Sequence, residues 1–356
     1  MAAQVPSESS KNDGDTKTKT SADESPPETY SDLISTLPVR GGWVMPLVLY
    51  QNYWLNPARL KHIIPVKEHY KPRSDDIILA TYPKCGTTWL KALSFAITTR
   101  NHGRHTFAAA AAAAAADHPP LLITQLHPQE LVAHLETPNP AAGDLAAIEK
   151  LPSPRLLATH LPLSLLPPAI STCGCRVVYL CRQPKDVSIS LWHFGNGMLR
   201  GGRTTRSSPV QLDASVSMFC EGISPFGPFW EHYLEYWKES LARPQHILFL
   251  KYEEIVSDPV KIVETLAGFF AVPFTEEEKR IGVPEEVVRL CSFEVLSGLE
   301  SNRSGDVTRG DDLVIGKSMF FRKGKVGDWE NHMSKEMSEK VDDVLKDKFK
   351  GSGLVF

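Results

Sequence analysis

The sequence predicts an α/β fold in which one central, mostly parallel sheet is flanked by helices. Three short apolar runs, residues 77–80, 177–180 and 247–250, each end in polar or turn-forming residues, and a helical pattern follows each run. Recurrence of strand, turn and helix is typical of parallel βαβ units. In such open sheets ligands bind beyond the carboxyl ends of the strands, so the residues that follow each run are the candidate site residues.

The composition favours one domain and excludes some classes of function. The chain has 356 residues, of which 42% are hydrophobic and 23% charged, as in soluble globular proteins. No long polar linker interrupts residues 30–356, so we expect a single domain there. Lys and Arg total 39 against 42 for Asp and Glu, a formal charge of −3, which argues against nucleic-acid or membrane partners. Any anion binding must therefore be local.

Two segments are expected to lie outside the folded core. Residues 1–29 are polar and acidic, unlike a signal or transit peptide, and we predict a disordered tail. Residues 108–116 are nine consecutive alanines, fewer than an isolated helix needs, and they suggest a surface insertion. No run reaches the ~18 apolar residues that span a bilayer, so we expect a cytoplasmic protein.

The six cysteines are expected to be reduced thiols, because no secretory signal accompanies them. Cys173 and Cys175 form a C-x-C pair, but no second pair follows at the spacing of a zinc site. We therefore predict neither a disulfide framework nor a metal site.

The loop after the first strand has the features of a phosphate-binding loop, similar in placement to a P-loop. Residues 82–89 read YPKCGTTW and precede a helix on which Trp89, Leu90, Leu93 and Ile97 are predicted to face inward. The first-turn N–H groups of a helix are unpaired and favour anions. Gly86 allows close backbone approach, the hydroxyls of Thr87 and Thr88 add donors, and Lys84 adds a positive charge.

The same loop departs from that of nucleoside triphosphatases. Its lysine precedes the glycine, and the loop is shorter than G-x-x-x-x-G-K-[ST]. The second strand ends in Arg182, where such enzymes carry an Asp that binds Mg²⁺. Both differences argue against an ATP-dependent kinase. No metal ion needs to be assumed for this loop.

Four segments together resemble the motifs of the cytosolic sulfotransferases, which use 3′-phosphoadenylyl sulfate as donor. They occur in the family's order and read YPKCGTTW, RLLATHLP around His160, LCRQPKDVSISLWHF, and FFRKGKVGDW from Phe320 to Trp329. Ala158-Thr159-His160 and the LWHF after Ser190 are most similar to the plant branch that includes flavonol, steroid and hydroxyjasmonate sulfotransferases. The resemblance implies a PAPS-dependent transfer to a small hydroxylated acceptor.

The resemblance also implies a role for each matching residue. Lys84 would contact the bridging oxygen and sulfuryl group of the donor. The other expected donor contacts are Cys85, Gly86, Thr87, Thr88 and Trp89 around the 5′ end, with Trp89 stacked on the base, Arg182 and Ser190 at the 3′-phosphate, Arg322, Lys323 and Gly324 closing over it, and Tyr252 near the adenine. Arg pairs bidentately with phosphate, whereas Lys supplies a point charge suited to a leaving oxygen.

His160 is the candidate catalytic base, since an imidazole of pKa about 6.5 accepts a proton near neutral pH. It follows the apolar residues 156–158 and precedes Pro162, which places it at a strand end. We assign His193 to the acceptor pocket or to packing, and Trp192 and Phe194 to the core. The acceptor itself is not specified, because its pocket draws on residues 41–54, 191–202 and 302–318.

Two rival functions remain open from the sequence. An ATP-dependent small-molecule kinase would need Mg²⁺, and a catalytically silent nucleotide-binding protein would need neither His160 nor Lys84. The C-terminal WENHMSKEMSE lacks the K-x-x-x-T-V-x-x-x-E dimer motif of many animal members, so we expect a monomer or a weak dimer.

Overall fold

The computed structural model describes residues 29–100, 122–136, 145–200, 208–309 and 313–356. The predicted N-terminal tail, apart from Thr29, and the alanine run lie outside these described residues. Within them no helix has the length and apolar character needed to cross a bilayer.

Ten strands form three sheets in the described part of the chain. In chain order they are β1 (Val39–Arg40), β2 (Leu47–Tyr50), β3 (Tyr53–Leu55), β4 (Ile77–Thr81), β5 (Ala133–His134), β6 (Leu156–Thr159), β7 (Arg176–Cys181), β8 (Ile247–Lys251), β9 (Asp306–Arg309) and β10 (Leu313–Gly316). Strands β4, β7 and β8 are the three predicted from the apolar runs, each extended by one or two residues.

The central sheet consists of five parallel strands in the order β5-β6-β4-β7-β8. Strand β4 lies in the middle, and Leu79 is aligned with Ala158 of β6 and Val178 of β7. Two antiparallel sheets, β1-β2-β3 and β9-β10, accompany it. The predicted parallel sheet is confirmed, whereas the two antiparallel sheets were not predicted, because their strands of two to four residues give no clear alternation.

Helices cover both faces of the central sheet. They span Thr29–Thr36, Pro57–His69, Thr87–Thr99, Leu122–Gln125, Pro128–Leu131, Leu145–Glu149, Pro184–Arg200, Leu212–Cys220, Phe229–Ala242, Tyr252–Ser257, Pro259–Phe269, Glu276–Arg280, Val283–Leu290, Phe293–Gly298, Glu300–Arg303 and Lys335–Lys348. Short 3₁₀ segments span Leu163–Leu165, Pro168–Ser171, Lys317–Phe320 and Asp328–Asn331.

The hydrophobic core has one layer on each side of the central sheet. Successive β4 side chains point to opposite faces, so Ile78 and Ala80 join one apolar cluster while Ile77 and Leu79 join the other. Both faces are covered, which explains why β4 reads as a continuous apolar run and not as an alternating one.

The topology brings the predicted site residues to one edge of the sheet. Parallel strands end at the same edge, and Lys84, His160, Arg182 and Tyr252 each follow the last residue of β4, β6, β7 or β8 by one to three positions. The site therefore assembles at the carboxyl ends of four neighbouring strands.

Candidate functional site

A cavity of about 460 Å³ opens at this edge of the sheet. The predicted site residues that line it are Lys84, Gly86, Thr87, Thr88, Trp89, His160, Arg182, Ser190, Tyr252, Arg322, Lys323 and Gly324. The one predicted site residue that does not line the cavity is Cys85.

The side chain of Cys85 points into the core. It is fully buried, and its Sγ atom lies 3.2 Å from the hydroxyl of Tyr233. Burial raises the pKa of this thiol to about 12. Only the backbone of Cys85 is therefore left for the expected contact with the donor. The sequence motif did not reveal this, because a local pattern cannot show which way a loop side chain points.

The loop between β4 and the helix Thr87–Thr99 contains two residues with a positive φ angle, a backbone conformation that few residue types adopt readily. Gly86 has a φ of +105°, and a Cβ atom there would lie 2.7 Å from the Tyr252 ring. Lys84 has a φ of +69°, which non-glycine residues rarely adopt. The helix begins directly after Gly86, so its unpaired first-turn N–H groups adjoin the cavity.

Trp89 was predicted to pack inward, and the structure corrects this. Leu90, Leu93 and Ile97 are fully buried, whereas Trp89 is only partly buried and lines the cavity. Its ring meets that of Tyr252 edge to face, with centroids 5.6 Å apart. An aromatic wall results, as the expected contact with a nucleotide base requires.

The amine of Lys84 lies over the ring of Phe194, with Nζ 3.7 Å from the ring centroid. Burial lowers the pKa of Lys84 to about 7, and the charges of Arg322 and Arg182 act in the same direction. Phe194 was predicted to be a core residue; it packs, partly buried, against a small apolar cluster and also lines the cavity.

Arg182 connects the end of β7 to the C-terminal segment. It donates hydrogen bonds to Asp186 at 3.0 Å and to the backbone oxygen of Lys325 at 2.7 Å. The Asp186 carboxylate also accepts from the backbone N–H groups of Gly327 and Trp329. Two segments that are distant in the sequence are thereby joined around one guanidinium group.

Arg322 and Lys323 share the carboxylate of Asp328 as an ion-pair partner, and Lys323 lies 2.6 Å from it. Burial alone would raise the pKa of Asp328, but hydrogen bonds from Lys323 and Arg322 hold it well below its usual range. The paired carboxylate thus holds both cations, which line the same cavity as Arg182.

His160 stands directly after β6, as predicted, and its ring is held in one orientation. Its Nδ1 atom lies 2.8 Å from the backbone oxygen of Thr81, an acceptor, so Nδ1 carries the proton and Nε2 keeps its lone pair. Burial and the neighbouring His134 hold the pKa of His160 well below its usual value. A neutral imidazole of this tautomer can accept a proton.

The backbone of His160 is fixed from behind by Glu136, a fully buried carboxylate that the sequence analysis did not single out. Glu136 accepts from the His160 N–H at 2.6 Å and from the Thr159 hydroxyl at 2.8 Å. Its other partner is His134, whose Nδ1 lies 3.1 Å away. Glu136 comes shortly after β5, and a strand of two residues is too short to leave a pattern in the sequence that could have located it.

His134 is a second histidine on the cavity wall, and sequence analysis missed it. Its ring centroid lies 4.7 Å from that of His160. Since Glu136 accepts a hydrogen bond from Nδ1 of His134, its Nε2 also keeps a lone pair. Burial and then the charges of Lys91, Arg309 and Arg59 hold the pKa of His134 well below its usual value.

Gln129 and Arg309 also line the cavity without having been predicted. Arg309 falls in the range 302–318 that was assigned to the acceptor pocket, but nothing in the local sequence singled it out. The other two ranges contribute as well, through Trp43, Val44, Met45 and Leu47, and through Leu191, Phe194, Gly195 and Met198. His193 does not line the cavity, since its ring packs between Trp192 and His332.

The described residues contain neither a disulfide nor a cluster of side chains that could bind a metal ion. All six cysteines are free thiols. No group of three or more His, Cys, Asp or Glu side chains there has the arrangement of a metal site.

Comparisons with known proteins agree with this geometry. A family model described as the sulfotransferase domain matches residues 74–353. The chain is 40% identical over 328 residues to cytosolic sulfotransferase 15 of Arabidopsis thaliana, covering 92% of this chain and 87% of that protein. The crystal structure of an Arabidopsis thaliana putative steroid sulphotransferase aligns with a TM-score of 0.67 at 33% identity, covering 91% of this chain and 94% of the other. A mouse sulfotransferase complexed with PAP aligns with a TM-score of 0.63 at 23% identity, covering 86% and 95%.

Proposed function

Because the chain belongs to the sulfotransferase family, we propose that it transfers a sulfuryl group from 3′-phosphoadenylyl sulfate to a hydroxyl of a small acceptor, with His160 as the base. The acceptor is a phenol or an alcohol, of which flavonoids, steroids and hydroxyjasmonates are examples. The names of the cytosolic relatives support the expected cytoplasmic location.

The observation that carries this proposal is that His160 and Lys84 line the same cavity. One is a neutral imidazole with a free lone pair at Nε2, and the other is an amine next to the first turn of a helix. A base and a cation on one cavity are what transfer between a hydroxyl and an anionic leaving group requires.

The reaction step follows from these two groups. The acceptor oxygen forms a bond to sulfur as the bond from sulfur to the bridging phosphate oxygen breaks. The proton of the acceptor moves to Nε2 of His160. Adenosine 3′,5′-bisphosphate leaves with the bonding electron pair, and Lys84 together with the helix N-terminus stabilises its added negative charge.

Three positive charges on the cavity wall suit the 3′-phosphate. Arg182, Arg322 and Lys323 all line the cavity, and each is paired with a carboxylate that fixes its position. Positioned cations bind phosphate without the cost of ordering flexible side chains. The PAP complex of the mouse relative supports this choice of donor.

An assay of donor turnover tests the proposal. The protein is incubated with 3′-phosphoadenylyl sulfate and a panel of phenols and alcohols, and sulfated products are detected by mass, with and without EDTA. We expect product for at least one acceptor at an EDTA-independent rate. A kinase would give no sulfated product in this assay and would instead form a phosphorylated product when supplied with ATP and Mg²⁺, whereas donor binding without any product would favour a silent nucleotide-binding protein.

A further inference from the structure

A buried carboxylate lies directly behind the candidate base. Glu136 is fully buried and follows β5 closely in the chain. Its Oε1 atom accepts a hydrogen bond from the backbone N–H of His160 at 2.6 Å and lies 3.1 Å from Nδ1 of His134. Its Oε2 atom accepts from the hydroxyl of Thr159 at 2.8 Å. Both carboxylate oxygens therefore contact the end of β6, where the base stands.

The donors around Glu136 fit a carboxylate and not a carboxylic acid. A backbone N–H can only donate, so Oε1 is an acceptor towards His160. The Thr159 hydroxyl accepts from the backbone N–H of Leu161 at 3.0 Å, and it gives its own proton to Oε2. A carboxylic acid would have to donate from one of the two oxygens. A negative charge is thus fixed beside the strand end.

No cation of the described residues is in contact with this negative charge. The ionisable side chain that contacts Glu136 is His134, which burial keeps neutral by lowering its pKa. Lys91 and Arg309 interact with the charge electrostatically, but neither forms an ion pair with it in the described part of the chain. Because the local dielectric constant is low, a buried charge acts strongly on the groups beside it.

Glu136 opposes the other groups that face His160. Burial is the largest cause that lowers the pKa of His160, and His134 and Arg59 act in the same direction. His232, from the helix Phe229–Ala242, contacts the backbone oxygen of His160 at 2.9 Å, and burial lowers the pKa of His232 to about 4. The charge of Glu136 instead raises the pKa of His160, since a negative charge favours the imidazolium form. In this set Glu136 is the group whose charge stabilises an added proton on the ring.

From this arrangement, and resting on the proposed function, we infer that Glu136 is a positioning residue for the transfer step. It fixes the backbone that carries the imidazole, and its negative charge stabilises the imidazolium that forms when Nε2 of His160 takes the proton of the acceptor. Glu136 keeps its charge throughout and takes no proton itself. It acts through His160, because it is not part of the cavity wall and touches neither substrate.

Replacing Glu136 with Gln tests the inference, because it removes the charge and keeps an oxygen that can accept from the His160 N–H. The readout is turnover of two phenols that wild type sulfates, one partly ionised near neutral pH, such as para-nitrophenol, and one that is not, such as para-cresol. Turnover of the less acidic phenol should fall roughly 10- to 100-fold, the range for a contact with a charged group. Turnover of the more acidic phenol should fall less, since it depends less on a base.

A purely structural role gives a different result. If Glu136 only fills space or balances the charges of Lys91 and Arg309, its loss should reduce turnover of both phenols equally, and this outcome overturns the inference. Calorimetry with adenosine 3′,5′-bisphosphate should show unchanged affinity in Glu136→Gln, and lost affinity would likewise contradict a role that acts through His160.

A double-mutant cycle tests whether Glu136 acts through His160. In the His160→Ala background, Glu136→Gln should cause little further loss of turnover of the less acidic phenol, because no imidazolium remains for the charge to stabilise. Losses that simply multiply would contradict the inference.

Glu235→Gln is the matched control. Glu235 also accepts hydrogen bonds from neutral groups, the Tyr53 hydroxyl at 2.7 Å and the backbone N–H and hydroxyl of Ser164 at 2.9 and 2.8 Å, and it is not part of the cavity wall. If Glu136→Gln does not fold, Glu136→Asp decides, because it keeps the charge but draws it back by one methylene. Its loss should again be larger for the less acidic phenol, and an equal loss overturns the inference.

The proposed function and this inference fail in different ways. If wild type forms no sulfated product from any phenol or alcohol of the panel, sulfuryl transfer itself is refuted. If wild type is active and Glu136→Gln loses turnover of both phenols equally, sulfuryl transfer stands and the role assigned to Glu136 is wrong.

Discussion

The Nδ1 atom of His160 lies 2.8 Å from the backbone oxygen of Thr81, at the end of the neighbouring central strand. The carbonyl can only accept, so this contact selects the tautomer in which Nε2 is unprotonated. Strand pairing of β4 with β6 therefore sets not only the position of the candidate base but also its protonation.

Replacing His160 with Ala should lower turnover by roughly 10² to 10⁴-fold, the usual contribution of a general base. Donor affinity should change little, because the residues proposed to bind the donor phosphates are other residues of the cavity. The loss should be smaller for acidic phenols, which are partly ionised, than for aliphatic alcohols. Steady-state rates with both acceptor types measure the loss of turnover, and calorimetry measures donor binding. His69→Ala, at an exposed histidine, is the control. Loss of donor binding in His160→Ala would contradict the prediction.

The acid limb of the pH profile should lie below the ordinary histidine pKa of about 6.5. The pKa of His160 is held well below its usual value, and only the neutral form accepts a proton. Activity that depends on this group is therefore retained as pH falls through the ordinary histidine pKa and is lost only as pH passes the lowered pKa. Turnover under saturating substrates between pH 5 and 8 measures it, and an acid limb centred near the ordinary histidine pKa would count against this environment.

Donor affinity should weaken as pH rises above about 7. The pKa of Lys84 is lowered to about 7 by burial and by Arg322 and Arg182, so the free protein loses this charge above that pH. An anionic donor favours the protonated amine, and its binding should then be accompanied by proton uptake. Calorimetry in buffers of different ionisation enthalpy detects the uptake. Lys84→Arg, which stays charged, should remove this pH dependence.

Replacing Arg182 with Ala should weaken donor binding by roughly 10- to 100-fold, since a charge-assisted contact to phosphate is lost. The segment that follows Gly324 should also become less ordered. Asp186 accepts hydrogen bonds from both Arg182 and Gly327 of that segment, and it would lose Arg182. Arg280→Ala on the exposed helix Glu276–Arg280 is the control. An unaltered donor dissociation constant would show that Arg182 has been misassigned.

The sequence by itself determined the parallel sheet and the strand ends that carry Lys84, His160, Arg182 and Tyr252. Apolar runs record burial on both faces, and parallel strands must end at one edge, so these residues were expected to converge. The motifs then connected them to one family.

Only the tertiary structure decided which side chains meet in the cavity. It turned Cys85 into the core and Phe194 towards Lys84, and it joined Gln129 to Arg309, 180 residues later. Local patterns report whether a residue is buried, but the direction of a loop side chain and the charge balance of a buried cluster depend on contacts between distant segments. For that physical reason the candidate base was predictable from sequence, whereas the neighbouring cavity residues His134, Gln129 and Arg309 were not.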